Sequence, residues 1–204
     1  MKYIIGIDGV GRGPLAGPVT VSAVAIPENF SPTTKLPLRD SKKLSPAQRK
    51  KWEKYLKNNK NFFYVTSSIS PKKIDRINIS KAANLAATEA FQKLIGKIKL
   101  KNIKISAIFL DGGLYLNNAL SMKIKPKTVI KGDEKINAVK LASIIAKNKR
   151  DGYMLKIDKK FPLYGFKTHK GYGTKNHLAK IAKYGPSPIH RLTFTKKYTN
   201  VKFV

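Results

Sequence analysis

Three aspartates, Asp8, Asp111 and Asp133, stand where carboxylates could do chemistry rather than keep the chain soluble. Asp8 follows the apolar run Tyr3-Ile4-Ile5-Gly6-Ile7, and Asp111 follows Ile103–Leu110. Asp133 comes after Lys127–Lys131 and Gly132, at the start of a helical pattern. No histidine is close to them in sequence and the chain has no cysteine, so a ligand set built on them would be all oxygen. Oxygen ligands suit a hard cation, Mg²⁺ or Mn²⁺, rather than zinc. Carboxylates that share two such ions about 4 Å apart support in-line attack of water on a phosphodiester.

The rest of the composition fits a polyanionic substrate. Lysine and arginine number 42 against 11 acids, a net charge of +31 with an isoelectric point near 10.3. Such a field favours nucleic acid, although a lysine-rich surface also serves solubility. The lysines would hold the polyanion while the scarce acids hold metal, which makes a nuclease the leading hypothesis. A basic ribosomal-type protein fits the charge but leaves the three aspartates unexplained.

The elements that must position these residues follow from periodicity. The 204 residues and 42% hydrophobic content suit a single α/β domain with a real core. No apolar run approaches 18 residues, and Met1-Lys2-Tyr3 leads into a strand rather than a signal peptide, so a cytoplasmic protein without a membrane span is expected. Strands are expected at Tyr3–Ile7, ending on Asp8, and at Val19–Ile26, antiparallel to it. Further strands are expected at Phe62–Ser68, Ile103–Leu110 and Lys127–Lys131. Ser45-Pro46-Ala47-Gln48 is a capping box with proline at the first helical position, and Trp52, Tyr55 and Leu56 mark the buried side of its helix. A second helix covers Ser80–Ile95, with Ala83, Ala87, Ala90 and Leu94 on one face. A third runs from about Ile136 to Leu155, with Ala138, Leu141, Ala142 and Ile145 inward and Lys140, Lys147 and Arg150 clustered elsewhere. Asp133 and Glu134 also suit the positive end of a helix dipole. Adjacent parallel strands would bring Asp8 and Asp111 to one edge of the sheet, where α/β ligand sites lie.

Between the first two strands lies Gly9-Val10-Gly11-Arg12-Gly13-Pro14-Leu15-Ala16-Gly17. A loop so poor in side chains lets a phosphate or sugar approach the backbone, though glycine-rich hairpins are also common turns. Pro14 stands where a Walker A loop needs its lysine, and a strand follows where a dinucleotide fingerprint needs a helix. Pro27–Leu38 reads as loop. Tyr164-Gly165-Phe166 and His169-Lys170-Gly171-Tyr172-Gly173-Thr174 interleave glycine, aromatic and lysine, which suits a stacked sugar or a backbone. A helix near His177 stops at Gly185-Pro186, and a basic tail follows His190-Arg191.

Taken together, GIDGVGRGPLAGP (Gly6–Pro18), DSKKL (Asp40–Leu44), IDRIN (Ile74–Asn78), LDG (Leu110–Gly112), KGD (Lys131–Asp133), ASIIAKNKRD (Ala142–Asp151) and the YGF, HKGYGT and YGPSPIH segments of Tyr164–His190 resemble ribonuclease HII, the type 2 ribonuclease H family. The likeness covers nearly all of Lys2–Phe194. It implies an RNase H-like fold: a five-stranded mixed β-sheet flanked by helices, with a helical C-terminal extension over about 160–204. It implies endonucleolytic cleavage of the RNA strand of RNA–DNA hybrids and of DNA duplexes carrying single ribonucleotides, as in ribonucleotide excision repair. Cleavage would fall 5′ to the ribonucleotide and leave 3′-hydroxyl and 5′-phosphate ends. By motif position, Asp8, Asp111 and Asp133 match three of the family's four metal-binding acids. Gly11, Arg12 and Gly13 match the loop that reads the ribose 2′-hydroxyl. Tyr172 matches the aromatic that packs on the sugar at the RNA-to-DNA junction, and Ser41, Lys42 and Lys43 are expected at the nucleic acid backbone.

One departure matters: Gly9 stands where the family has glutamate, the fourth acid. Its loss implies weakened metal affinity, a shift toward Mn²⁺, or a hybrid-binding protein impaired in catalysis. Glu134 and Asp151 are replacement candidates by proximity alone. Thr193–Val204 contains Tyr198 and Phe203 but no clear clamp-binding motif, so no clamp partner is expected, and a monomer is the default. The related type 3 enzymes carry an extra N-terminal domain, whereas this chain opens on its first strand.

Overall fold

Alternation of apolar residues builds a five-stranded mixed sheet that buries both faces. A computed structural model describes residues 1–32, 37–99, 101–117 and 123–199. The strands are β1 (Lys2–Val10), β2 (Val19–Pro27), β3 (Phe63–Ile69), β4 (Lys104–Asp111) and β5 (Lys127–Val129), in the order β3-β2-β1-β4-β5. β1 pairs antiparallel with β2 and parallel with β4, β2 pairs antiparallel with β3, and β4 pairs parallel with β5. The expected five-stranded mixed α/β architecture is therefore present.

Two cores lie on opposite sides of the sheet. On one face Tyr3, Ile5 and Ile7 of β1 meet α3 (Ile79–Lys99), whose alanines Ala83, Ala87 and Ala90 let it lie close to the strands. On the other, Val24 and Ile26 of β2 meet α1 (Pro46–Asn58) and α5 (Asn137–Lys160). The Ser45–Gln48 capping box forms as expected. Gly6 marks the closest approach: a Cβ there would lie 2.2 Å from the backbone carbon of Ala138, so only glycine lets α5 seat on β1.

Several boundaries differ from the periodic pattern, α3 among them, which runs to Lys99 rather than Ile95. β1 does not end on Asp8 but continues to Val10, because β2 offers Ser22, Val21 and Thr20 as partners. The fifth strand stops at Val129, since Lys131 turns into the left-handed region (φ 56°) to start the short α4 (Gly132–Lys135). α5 runs to Lys160, beyond Leu155, because Met154 and Ile157 find a third small core. That core holds Ala16, Tyr164, Phe166 and Ile189 and seats a mostly helical C-terminal part. α2 (Pro71–Ile77), α6 (Phe166–His169), α7 (Lys175–Tyr184) and α8 (Leu192–Thr195) complete the described helices. Residues 33–36 of the Pro27–Leu38 loop and residues 200–204 of the tail, including Phe203, lie outside the described residues.

Candidate metal centre

Register alone brings the first two carboxylates together. Ile7 pairs with Leu110 across the parallel β1–β4 ladder, so Asp8 and Asp111 are the next residues on neighbouring strands. Asp133 enters from the first turn of α4, which the left-handed Lys131 aims back across the end of β4. The Gly132 N–H donates to Asp111 Oδ1 at 2.9 Å and fixes that carboxylate. One oxygen from each of Asp8, Asp111 and Asp133 lies within 4.8 Å of the others. All three acids expected to bind metal thus converge on one point.

Asp8 shares the strand face of Gly6, which looks onto α5. From α5 the buried Ser143 faces Asp8 and works to lower its carboxyl, and Ser143 Oγ is 2.7 Å from Ser41 Oγ. Ser41 Oγ also lies 3.5 Å from Asp40 Oδ1, so the two hydroxyls link the Ser41–Lys43 turn to α5. The Gly9 N–H also donates to Asp8 Oδ1. Sequence reasoning missed Ser143; its position one helical turn beyond Val139, on the face that packs on β1, was the available signal.

The electrostatics are those of a cation site. Burial, then the neighbouring Asp111, push the Asp8 carboxyl up to about 7, against the lowering effect of Ser143 and of the Gly9 bond. Asp133 is raised as well, by burial first and then by Asp111 and Asp40. Three like charges at this separation repel strongly in a low dielectric. Among the described residues Lys42 is the cation paired with this cluster: its Nζ is 3.7 Å from Asp133 Oδ2, and its side chain is largely exposed. All-oxygen donors held close and under-neutralised fit a hard divalent cation.

The other candidates are held in different ways. Lys43 reaches Glu134 at 3.5 Å, and both remain partly exposed. Ser41 is buried beneath the site, with its hydroxyl engaged by Ser143. Asp40 caps the turn that carries Ser41–Lys43 by accepting from the Lys42 N–H. Tyr172 is 43% exposed, while its backbone is tied to His169 and Thr174 and its ring lies 6.0 Å from the Arg150 guanidinium carbon. Arg12 crosses to β4's end, where Nη1 donates to the Gly113 carbonyl at 3.2 Å. The Gly11–Gly13 loop is thereby joined to the strand that carries Asp111.

Neither replacement acid occupies the place left by Gly9. Glu134 pairs with Lys43, and Asp151 is held by Arg49 at 3.2 Å and Lys147 at 2.9 Å. Gly9 itself pairs with Val21 on β2, and a Cβ there would lie 2.8 Å from Val21 Cγ2. Arg150 is the clear correction: expected with Lys140 and Lys147 away from the apolar face of the helix, it is fully buried. Its guanidinium donates to the carbonyls of Pro18, Ala16 and Lys170 at 3.0 Å each. It sits so close under the loop that a Cβ on Gly11, at φ 87°, would come within 2.3 Å of its Nε.

Comparison with known proteins agrees with this geometry. A family model described as Ribonuclease HII matches residues 5–197. Ribonuclease HII of Pelagibacter ubique is 43% identical over 196 residues, covering 96% of this chain and 97% of that protein. Among solved structures, the ribonuclease H2 of Pyrococcus horikoshii superposes with a TM-score of 0.73 at 25% identity over 96% of each chain. Bst-RNase HIII, solved in complex with Mn²⁺, shares the fold with a TM-score of 0.71 at 21% identity, covering 96% of this chain and 68% of that one.

Proposed function

The chain belongs to the ribonuclease HII family of metal-dependent nucleases, and we propose that it cleaves the RNA strand of RNA–DNA hybrids and DNA duplexes 5′ to an embedded ribonucleotide. The products would carry 3′-hydroxyl and 5′-phosphate ends. The observation that carries the reading is the convergence of Asp8, Asp111 and Asp133 within 4.8 Å beside the Gly11–Gly13 loop.

In this reading Asp8, Asp111 and Asp133 hold Mg²⁺ or Mn²⁺. The bound metal supplies activation of water and neutralisation of charge on the phosphodiester. The protein's own part is placement. Lys42 and Lys43 neutralise the approaching backbone at the rim. The loop offers backbone groups to the ribose 2′-hydroxyl, a group DNA lacks. Tyr172 presents an exposed ring to a neighbouring sugar, with its backbone already fixed. The Gly9 N–H donates to Asp8 Oδ1 and the Gly132 N–H to Asp111 Oδ1, so backbone donors orient two of the three carboxylates.

The test is cleavage of a duplex with one embedded ribonucleotide, in Mg²⁺ and in Mn²⁺, against the same duplex in all-DNA form. A single cut 5′ to the ribonucleotide, abolished by Asp111→Asn, is expected. Uncut duplex in both metals would refute the nuclease reading. Gly9 favours a second reading, a hybrid-binding protein with impaired catalysis, since Glu134 and Asp151 are both engaged by cations. Tight hybrid binding without cleavage would select it.

A further inference from the structure

Arg191 is fully buried and, among the described residues, forms no ion pair with a carboxylate. Burying a guanidinium is costly unless its donors are satisfied, and an apolar side chain would fill the same space at less cost. Its donors go to one place. Nε donates to the Gly17 carbonyl at 3.0 Å, Nη1 to the Arg12 carbonyl at 2.9 Å and Nη2 to the Gly11 carbonyl at 2.5 Å. The planar fork of arginine spans three carbonyls in a fixed geometry that lysine cannot copy.

The direction of these bonds has a consequence. In a planar trans peptide the N–H points opposite to the C=O. With the Gly11 and Arg12 carbonyls drawn inward onto Arg191, the N–H groups of Arg12 and Gly13 face away from it. Among the described residues neither N–H donates to a protein acceptor, and a Cβ on Gly13 would meet nothing within 4 Å. The loop therefore holds two consecutive donors out toward open space.

Arg191 is itself anchored. The Asp75 carboxylate of α2 accepts from the N–H groups of Leu192 at 2.8 Å and Thr193 at 3.1 Å. The Phe194 ring lies 5.2 Å from the guanidinium carbon. The Arg191 N–H donates to the Leu15 carbonyl at 2.8 Å, and the Gly17 N–H donates to Ile189 at 2.8 Å. The IDRIN segment is thereby linked, through the C-terminal part, to the glycine loop.

We propose that Arg191 is a positioning residue: by gripping the carbonyls of Gly11, Arg12 and Gly17 it presents the Arg12 and Gly13 N–H groups, and so sets how well the protein distinguishes a ribonucleotide from a deoxyribonucleotide. The proposal rests on the ribose-reading role given to the loop above. Asp75 supports the same grip at one remove.

The test measures binding, by fluorescence anisotropy in EDTA, of a duplex with one ribonucleotide and of its all-DNA counterpart. Arg191→Lys keeps the charge and loses the fork. It is expected to lower the ribo-to-deoxy affinity ratio at least fivefold while all-DNA affinity stays within twofold. Asp75→Asn is expected to shift the ratio in the same direction by a smaller factor, and it carries the test if Arg191→Lys does not fold. A general loosening of structure would weaken both duplexes alike, and that result overturns the proposal. A wild-type preference that survives both substitutions also overturns it, and leaves the loop's ribose-reading role standing. A wild-type ratio of one instead overturns that role, and this proposal with it.

Discussion

Replacing Asp8 by asparagine separates what the site does for function from what it does to stability. The carboxyl is held at about 7 against an ordinary value of 3.8, because burial and Asp111 disfavour its charged form. A folded-state value above the unfolded one means that stability is fully present below about pH 3.8 and is lost as pH rises to about 7. Each tenfold in proton affinity is about 1.4 kcal/mol, so the metal-free protein carries about 4 kcal/mol of destabilisation at pH 8. Water entering the cleft screens part of this, and roughly 3 kcal/mol is the working figure. Asparagine cannot ionise, and its carbonyl still accepts from the Gly9 N–H. In EDTA at pH 8, Asp8→Asn should therefore unfold about 6–12 °C above the unsubstituted protein, taking about 2–4 °C per kcal/mol at this chain length. At pH 5 the gap should narrow by about three-fifths, since the folded protein now keeps Asp8 protonated. Adding Mg²⁺ should raise the unsubstituted protein and leave the variant unmoved, and cleavage should disappear in the variant. Calorimetric unfolding at both pH values is the assay. A variant no more stable than its parent at pH 8, or a gap independent of pH, would refute the account of Asp8 as a strained ligand.

Three further outcomes follow from other parts of the molecule. His169, His177 and His190 are buried together beside Tyr164 and Phe166, and burial above all holds His177 and His190 down at about 4. His177 Nδ1 donates to Tyr172, leaving Nε2 to accept from His190 Nε2 at 3.0 Å, and His190 Nδ1 accepts from the Ser187 N–H at 2.8 Å. That order needs neutral rings, so stability is full above about 6.5 and falls by roughly 3 kcal/mol for each of the two histidines as pH drops toward 4; urea midpoints across this range check it. Gly6→Ala drives a Cβ into the backbone of Ala138 and should cost at least about 3 kcal/mol by the same measurement. Gly9→Glu should raise the cleavage rate in Mg²⁺ by restoring a fourth acid, at a cost of about 1 kcal/mol for displacing Val21; equal rates in single-turnover assays would show that three acids suffice.

The strands, the main helices and the convergence of Asp8 with Asp111 were legible in the sequence, because they depend on local periodicity and on one parallel pairing. Apolar runs that end in a scarce acid report a position at the sheet's edge wherever they occur in the chain. The capping box at Ser45 and the close seat of α3 on its alanines are equally local. The support beneath the site was not legible. Arg150 looks from its spacing like one more cation on a lysine-rich helix, and Arg191 like the start of a basic tail. Only folding shows that both are buried under the glycine loop, each with its guanidinium on three carbonyls. Carbonyls are present in every residue and leave no mark in sequence, so a side chain whose partners are backbone groups, most of them more than 130 positions away, cannot be recognised from its own type. Residue types and spacing therefore determine which groups can bind metal and where the sheet presents them. Tertiary contact alone decides which charges face the substrate and which hold the loop from within.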